Sequence, residues 1–174
     1  MIAQWTRFVV TAGMIAAPLI APAAAAAQAA AGEPAPEFTR ADTTGQSRSL
    51  KDLRGKYVVL EWFNPECPFV RKHYGSGNMQ QTQKDATARG VVWLSVDSSA
   101  PGKQGSVTPE QANAFVQAQQ AAPTAVLLDA DGTLGKEYGA KTTPHLFVIN
   151  PEGVVIYNGA IDDQPSTDPI LRRQ

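Results

Sequence analysis

The 174-residue sequence contains one cysteine, Cys67, and two histidines. A single cysteine cannot pair within the chain, which excludes a fold that depends on internal disulfide bonds. A copper-delivery site built from two cysteines and a histidine would need a second thiol. We therefore expect no metal site and no cofactor.

The charged residues lack an excess of either sign. The chain has 15 lysines and arginines against 16 aspartates and glutamates, so its formal net charge is −1 at pH 7. A nucleic-acid-binding protein is expected to carry a basic patch or stripe, and the sequence has none. The stretch at residues 98–105 lacks the G-x-x-x-x-G-K-[ST] spacing of a phosphate-binding loop. We therefore expect neither a nucleic-acid partner nor a bound nucleotide.

The apolar run near the N-terminus is too short for a stable membrane span. Arg7 precedes this run at residues 8–21, Pro18 interrupts it, and small residues follow it. A cation, a short apolar stretch and a small-residue cleavage site are typical of a secretory signal peptide. We predict a signal peptide over residues 1–27, cleavage near Ala27, no membrane span after cleavage, and a periplasmic or secreted protein. A retained membrane anchor or a disordered alanine-rich tail is the alternative.

Strand and helix patterns alternate along the rest of the chain. This order predicts a single α/β domain over residues 38–174, preceded by a short linker at residues 28–37. The turn P-E-G joins the last two strands in a hairpin. Strands are predicted at residues 56–63, 91–96, 125–129, 146–150 and 154–157, after two short edge strands within residues 38–53.

Two helices are predicted between these strands. The first spans about residues 68–89, begins with a proline in its first turn, and contains Gly75 and Gly77, which predict a kink or a break. The second spans about residues 108–120. Thr108 is its predicted N-cap, and the sequence T-P-E-Q provides a capping box.

Cys67 lies where a buried strand is predicted to end and a helix to begin. Free backbone N–H groups and the positive end of the helix dipole favour a thiolate at that place. Pro68 fixes the turn, and Arg71, one helical turn further on, adds positive potential on the same face. Outside the cytoplasm an unpaired thiol is either buried and protected or reacts with another molecule. The placement favours a reactive nucleophile, and a buried small hydrophobic residue is the alternative.

Two stretches of the sequence resemble thioredoxin-fold proteins. They are V-V-L-E-W-F-N-P-E-C-P-F-V at residues 58–70 and Y-G-A-K-T-T-P-H-L-F-V-I-N-P-E-G-V-V-I-Y-N-G at residues 138–159. The chain is most similar to the exported, TlpA-like redoxins of the alkyl hydroperoxide reductase/thiol-specific antioxidant superfamily. The resemblance implies a thioredoxin-like fold, with a central mixed β-sheet flanked by helices. We expect the closing C-terminal helix to be short or missing.

The resemblance also implies roles for individual residues. Cys67 matches the attacking cysteine, and Val70 stands where the second, resolving cysteine would be. Pro144 matches the cis-proline that faces the thiol, and the backbone of Thr143 would pair with a bound thiol substrate. Glu61 matches a buried acid in the strand before the active site, and a salt-bridged carboxylate at the strand end is the alternative.

His145 follows the expected cis-proline. We expect it either to approach Cys67 and raise its thiolate fraction or to lie at the surface. The P-x-x-x-T/S-x-x-C pattern of typical peroxiredoxins is not met, because Leu60 and Asn64 stand at its proline and hydroxyl positions.

The sequence therefore predicts an exported, thiol-dependent oxidoreductase that acts through Cys67 alone. It would be peroxidase-like, with antioxidant activity, or would exchange disulfides. The predicted partner is an external thiol reductant or a disulfide-bearing protein, and a peroxide is a possible substrate. The alternatives are a non-catalytic thioredoxin-fold binding or chaperone module and a truncated, inactive paralogue.

Overall fold

Seven strands and four α-helices make up the part of the chain that the computed structural model describes, residues 28–168. The predicted signal peptide, residues 1–27, lies outside the described residues and stays a prediction. In chain order the elements are β1 (Thr39–Ala41), β2 (Ser47–Ser49), a 3-10 turn (Lys51–Leu53), β3 (Val58–Trp62), α1 (Pro68–Gly75), α2 (Asn78–Ala88), β4 (Val92–Asp97), α3 (Pro109–Ala118), β5 (Ala125–Leu128), α4 (Thr133–Tyr138), β6 (His145–Ile149) and β7 (Val155–Gly159).

Five strands form the central sheet in the order β5-β4-β3-β6-β7. β4 runs parallel to β3 and β5, whereas β6 runs antiparallel to β3 and β7. Every residue of β3 and β4 is buried, as expected for near-continuous apolar strands that are covered on both faces. The predicted α/β fold with a central mixed sheet flanked by helices is confirmed. β1 and β2 pair with each other in a separate antiparallel sheet.

Side-chain alternation along β3 divides the core between the two faces of the central sheet. Leu60 and Trp62 belong to one apolar cluster, which also contains Tyr138 of α4. Val59 belongs to the other cluster, together with Val70 of α1 and further residues of α2 and α3. We call these sides the α4 face and the α1 face.

Gly77 separates α1 from α2. Its φ of 75° lies in the left-handed region, which glycine enters at little cost. The predicted break is therefore confirmed. α3 begins at the predicted capping box: Thr108 Oγ1 accepts a hydrogen bond from the backbone N–H of Gln111 at 3.3 Å. In return the backbone N–H of Thr108 donates to Gln111 Oε1 at 2.8 Å.

The sequence pattern does not predict α4. This helix has six residues and lies between Gly132 and Gly139, whose φ values are 65° and 68°. The buried carboxylate of Asp129 accepts hydrogen bonds from the backbone N–H groups of Leu134 and Gly135 at 3.1 and 2.9 Å. A helix of this length has too few positions for a 3.6-residue period to be recognised in the sequence. The buried carboxylate of Asp129 stabilises its first turn.

Residues 28–37, predicted as a linker, lie along the outer edge of β7. The backbone N–H of Gly32 donates to the carbonyl of Val155 at 2.8 Å, and the N–H of Val155 donates to the carbonyl of Glu33 at 2.9 Å. Ala35 is 5% exposed. These backbone hydrogen bonds hold the segment against the sheet. The predicted domain boundary between residues 37 and 38 stays a prediction.

The chain continues from the end of β7 to residue 168 without a helix or strand. This irregular course agrees with the expected short or missing closing helix as far as the structure describes the chain, and residues 169–174 lie outside that part. Among residues 28–168, none of the helices combines the length and the apolar character that crossing a membrane requires.

Replacing the N-cap of α3 tests the capping box. We expect Thr108→Ala to lower the free energy of unfolding by about 1 kcal/mol, because the N–H of Gln111 loses its acceptor. Urea denaturation of both proteins measures the difference. Thr108→Ser keeps the hydroxyl and should unfold near the wild-type midpoint. Equal destabilisation by serine and alanine would contradict a role for the hydroxyl.

Candidate active site

Cys67 is the N-cap residue of α1. Its backbone is extended, with φ −68° and ψ 128°, and its side chain makes no capping hydrogen bond to the helix. The Sγ instead donates to the backbone carbonyl of Thr143 at 3.1 Å. The residue is partly exposed. The thiol therefore lies at a helix N-terminus, within reach of solvent, and faces the loop that precedes β6.

Strand register explains why two segments 76 residues apart meet at the thiol. Trp62, the last residue of β3, pairs with His145, the first residue of β6. Because these strands are antiparallel, the chain leaves β3 toward Cys67 at the same end of the sheet where it enters β6. The Thr143–Pro144 peptide bond at this entry is cis.

The loop before α1 is held by hydrogen bonds of its own. Asn64 Oδ1 accepts from the backbone N–H of Glu66 at 2.8 Å, and the N–H of Cys67 donates to the carbonyl of Asn64 at 3.0 Å. This is the pattern of an Asx turn. Arg71 Nε donates to the carbonyl of Pro65 at 3.2 Å. The guanidinium therefore contacts the same loop from one helical turn further along α1.

Val70 occupies the position three residues after Cys67. Its side chain is fully buried in the cluster on the α1 face, which also contains Phe63 and Tyr74. The sequence has no second cysteine at any position. A disulfide formed with Cys67 can therefore be released only by a thiol from another molecule.

Glu61 lies within β3 on the α1 face and is fully buried. Its carboxylate accepts hydrogen bonds from four neutral side chains, so it is not a salt-bridged group at the strand end. Burial raises the pKa of Glu61, and the hydrogen bonds offset only part of that increase, so its pKa lies above the ordinary range. The four donors are Tyr74, Gln83, Trp93 and Ser95, at 2.7 to 3.0 Å.

The described contacts of His145 are with residues other than Cys67, which favours the second of the two expectations for it. Its Nε2 lies 2.7 Å from Oδ1 of Asn158, and its Nδ1 accepts from the backbone N–H of Lys141 at 3.3 Å. The ring stacks on Phe147, which belongs to the cluster on the α4 face. Cys67 packs against the cluster on the α1 face. Alternation along β6 therefore directs this imidazole to the opposite side of the sheet.

A cleft of about 360 Å³ shares Thr143 with the surroundings of the thiol, although Cys67 itself does not line it. Thr143, whose carbonyl accepts from Cys67, lines it together with Pro144. Phe69 of α1 and residues 160–165, which follow β7, line it as well. No local sequence pattern indicates that Phe69 and residues 160–165 meet, because these segments lie far apart along the chain.

Glu61→Gln tests the buried carboxyl group through the pH dependence of stability. The raised pKa means that the folded protein keeps a proton that the unfolded chain releases near pH 4.3. The free energy of unfolding of the wild type should therefore fall as pH rises from that value through the folded-state pKa. This component should be missing in Glu61→Gln, and urea midpoints at several pH values measure it. The exposed Glu66→Gln is the control, and parallel curves for wild type and Glu61→Gln would contradict the assignment.

A sequence profile of the AhpC/TSA family matches residues 31–158. Among curated proteins, the thiol-disulfide oxidoreductase ResA of Bacillus subtilis (strain 168) is 27% identical over 125 residues, which are 72% of this chain and 64% of ResA. The chain thus spans less than two thirds of the length of that relative.

Two solved structures are similar over most of the chain. A hypothetical protein from Sinorhizobium meliloti 1021 has a TM-score of 0.71 at 23% identity, covering 85% of this chain and 78% of that protein. A Chlorobium tepidum protein assigned as the thiol:disulfide interchange protein DsbE has a TM-score of 0.61 at 26% identity, covering 76% of this chain and 86% of that protein. The predicted thioredoxin-like fold is confirmed. Together with the profile match, it places this protein in the AhpC/TSA family.

Proposed function

We propose that this chain is an exported thiol-disulfide oxidoreductase that acts through Cys67 alone. The observation that carries the proposal is the position of the thiol: it is partly exposed at the N-terminus of α1 and lies 3.1 Å from the carbonyl of Thr143. A helix N-terminus favours the thiolate, which is the form that attacks disulfides. Export rests on the signal peptide predicted for residues 1–27.

The reaction has two exchange steps. The Cys67 thiolate attacks one sulfur of a substrate disulfide, a new S–S bond forms, and the second substrate sulfur leaves with the bonding electron pair and takes a proton from solvent. An external thiolate then attacks the mixed disulfide and releases Cys67 as the thiolate. Because Val70 replaces the sulfur that would perform this second step within the chain, the external thiol is an obligatory co-substrate.

The surrounding residues support the thiol without taking part in bond changes. Thr143 and Pro144 present a backbone segment beside which the sulfur of a substrate would lie. Pro68 and Arg71 fix the start of α1 and the loop before it. Glu61 is held by four hydrogen bonds inside the α1 face and is assigned a structural role there.

A peroxidase reaction is the second candidate, and the match to the AhpC/TSA profile favours it. The thiolate would attack one oxygen of a hydroperoxide, forming an S–O bond, breaking the O–O bond and releasing an alcohol or water. Two external thiols would reduce the sulfenic acid to the thiol, giving their disulfide and water. Disulfide exchange ranks first because Asn64, at the hydroxyl position of peroxiredoxins, engages Glu66 N–H and the Gln104 carbonyl instead.

The test follows Cys67 in the purified protein by mass spectrometry. At pH 7 we expect bis(2-hydroxyethyl) disulfide to form a mixed disulfide with Cys67 about tenfold faster than with an unstructured cysteine peptide, because Cys67 lies partly exposed at a helix N-terminus. Dithiothreitol should release it, and Cys67→Ser should not react. A rate equal to that of the peptide would contradict the proposal and favour a binding module. Faster formation of a sulfenic acid with hydrogen peroxide would favour the peroxidase.

Restoring the second sulfur tests the dependence on an external thiol. In Val70→Cys the two cysteines would stand three residues apart at a helix start, within the roughly 4.4–6.8 Å Cα separation of disulfides. We expect this variant to release the mixed disulfide without added thiol and to accumulate an internal disulfide, detected by its mass. Val70→Ala controls for the altered packing. A mixed disulfide that persists in Val70→Cys would contradict the proposed resolving position.

A further inference from the structure

Lys72 is a buried cation on α1. Its side chain is 3% exposed, and its Nζ lies 2.8 Å from Oδ2 of Asp162, which follows β7. An ammonium group removed from water is strongly destabilising unless an opposite charge accompanies it. Asp162 is therefore required at this place, and its position fixes the course of the chain after the sheet ends.

Asp162 makes two further contacts that hold it there. Oδ2 lies 3.5 Å from Nε2 of His73, and Oδ1 accepts from the backbone N–H of Gln164 at 3.3 Å. Burial would raise the pKa of Asp162, but the hydrogen bond from Lys72 and the charge of His73 lower it more, so the carboxylate is ionised at neutral pH. Adjacent residues of α1 thus bind one carboxylate from the segment after β7.

This segment, residues 160–165, forms one side of the cleft that Thr143 also lines. Ile161 and Pro165 on that side and Phe69 and Pro144 elsewhere in the lining give the cleft a largely apolar surface. Residues 160–168 contain no helix or strand in the described chain, so side-chain contacts must hold this wall. The part-buried ion pair with Lys72 is one such contact, and Ile161 adds packing against the cluster on the α1 face.

We propose that Asp162 is a positioning residue that sets the substrate specificity of Cys67. By holding residues 160–165 against α1, it maintains a cleft that accepts an apolar group attached to the sulfur that Cys67 attacks. The substrate class is therefore disulfides whose reacting sulfur carries an aromatic or branched aliphatic group. This inference rests on the proposed thiol-disulfide exchange at Cys67.

Methanethiosulfonates isolate this specificity from the rest of the reaction. The Cys67 thiolate attacks the sulfur that carries the variable group, the S–S bond forms, the S–SO₂ bond breaks, and methanesulfinate leaves with the electron pair. Benzyl and 2-hydroxyethyl methanethiosulfonate share this leaving group and differ in the group that would occupy the cleft. The measured quantity is the ratio of their second-order rate constants, divided by the same ratio for N-acetylcysteine.

In the wild type we expect this normalised ratio to favour the benzyl reagent about tenfold. The reason is that the benzyl ring is transferred from water into the apolar cleft. Asp162→Asn should reduce the ratio to within about twofold of the free thiol, since a neutral amide cannot compensate the Lys72 ammonium. Asp162→Glu should restore most of the preference. Asp131→Asn, which removes the exposed partner of Arg40, is the matched control and should leave the ratio unchanged.

A wild type without preference, or a folded Asp162→Asn that keeps the full preference, would overturn the inference. If Asp162→Asn does not fold, the double variant Lys72→Met/Asp162→Asn decides instead. It removes the buried ammonium together with its partly exposed partner, and the preference should again be lost. Retained preference in the double variant would equally overturn the assignment. These reagents modify any accessible thiol, so the ratio remains readable even if the catalytic exchange proposed for Cys67 fails in its own assay.

Discussion

The antiparallel pairing of β3 with β6 is the constraint on which the site depends. It sets Trp62 opposite His145, so the loop that carries Cys67 and the loop that ends at Pro144 emerge at the same end of the sheet. The thiol of Cys67 therefore donates a hydrogen bond to the carbonyl of Thr143. A shift of one residue in this register would exchange the two faces of the strand and separate the thiol from that loop.

The α1 face adds a second constraint, because the buried carboxylate of Glu61 joins three elements. Tyr74 lies on α1, Gln83 on α2, and Trp93 and Ser95 on β4, and all four donate to the same group. Each donor is a buried polar group that would lose a hydrogen bond without this acceptor. The break between α1 and α2 therefore has a fixed geometry, and α1 presents its N-terminus to the end of β3.

Local patterns predicted most of the fold and the position of Cys67 at the start of α1, whereas contacts between distant segments could not be predicted. The apolar strands, the break at Gly77 and the capping box at Thr108 each follow from a few neighbouring residues. The contact between Lys72 and Asp162 spans 90 positions, and neither residue stands in a recognisable motif. Adjacency of His145 to Pro144 in sequence does not indicate which side of the sheet its ring lies on, because strand residues alternate between faces.

With a single cysteine, the choice of substrate affects how long the mixed disulfide lasts. In a C-x-x-C protein the second cysteine limits the lifetime of the mixed disulfide, whatever the substrate. In the proposed mechanism the lifetime here depends on an external thiol, because Val70 fills the position of the second sulfur. Groups held in the cleft then influence both the formation and the persistence of the complex. Asp162 lies outside the motif around Cys67, so the proposed specificity could change without alteration of the proposed nucleophile.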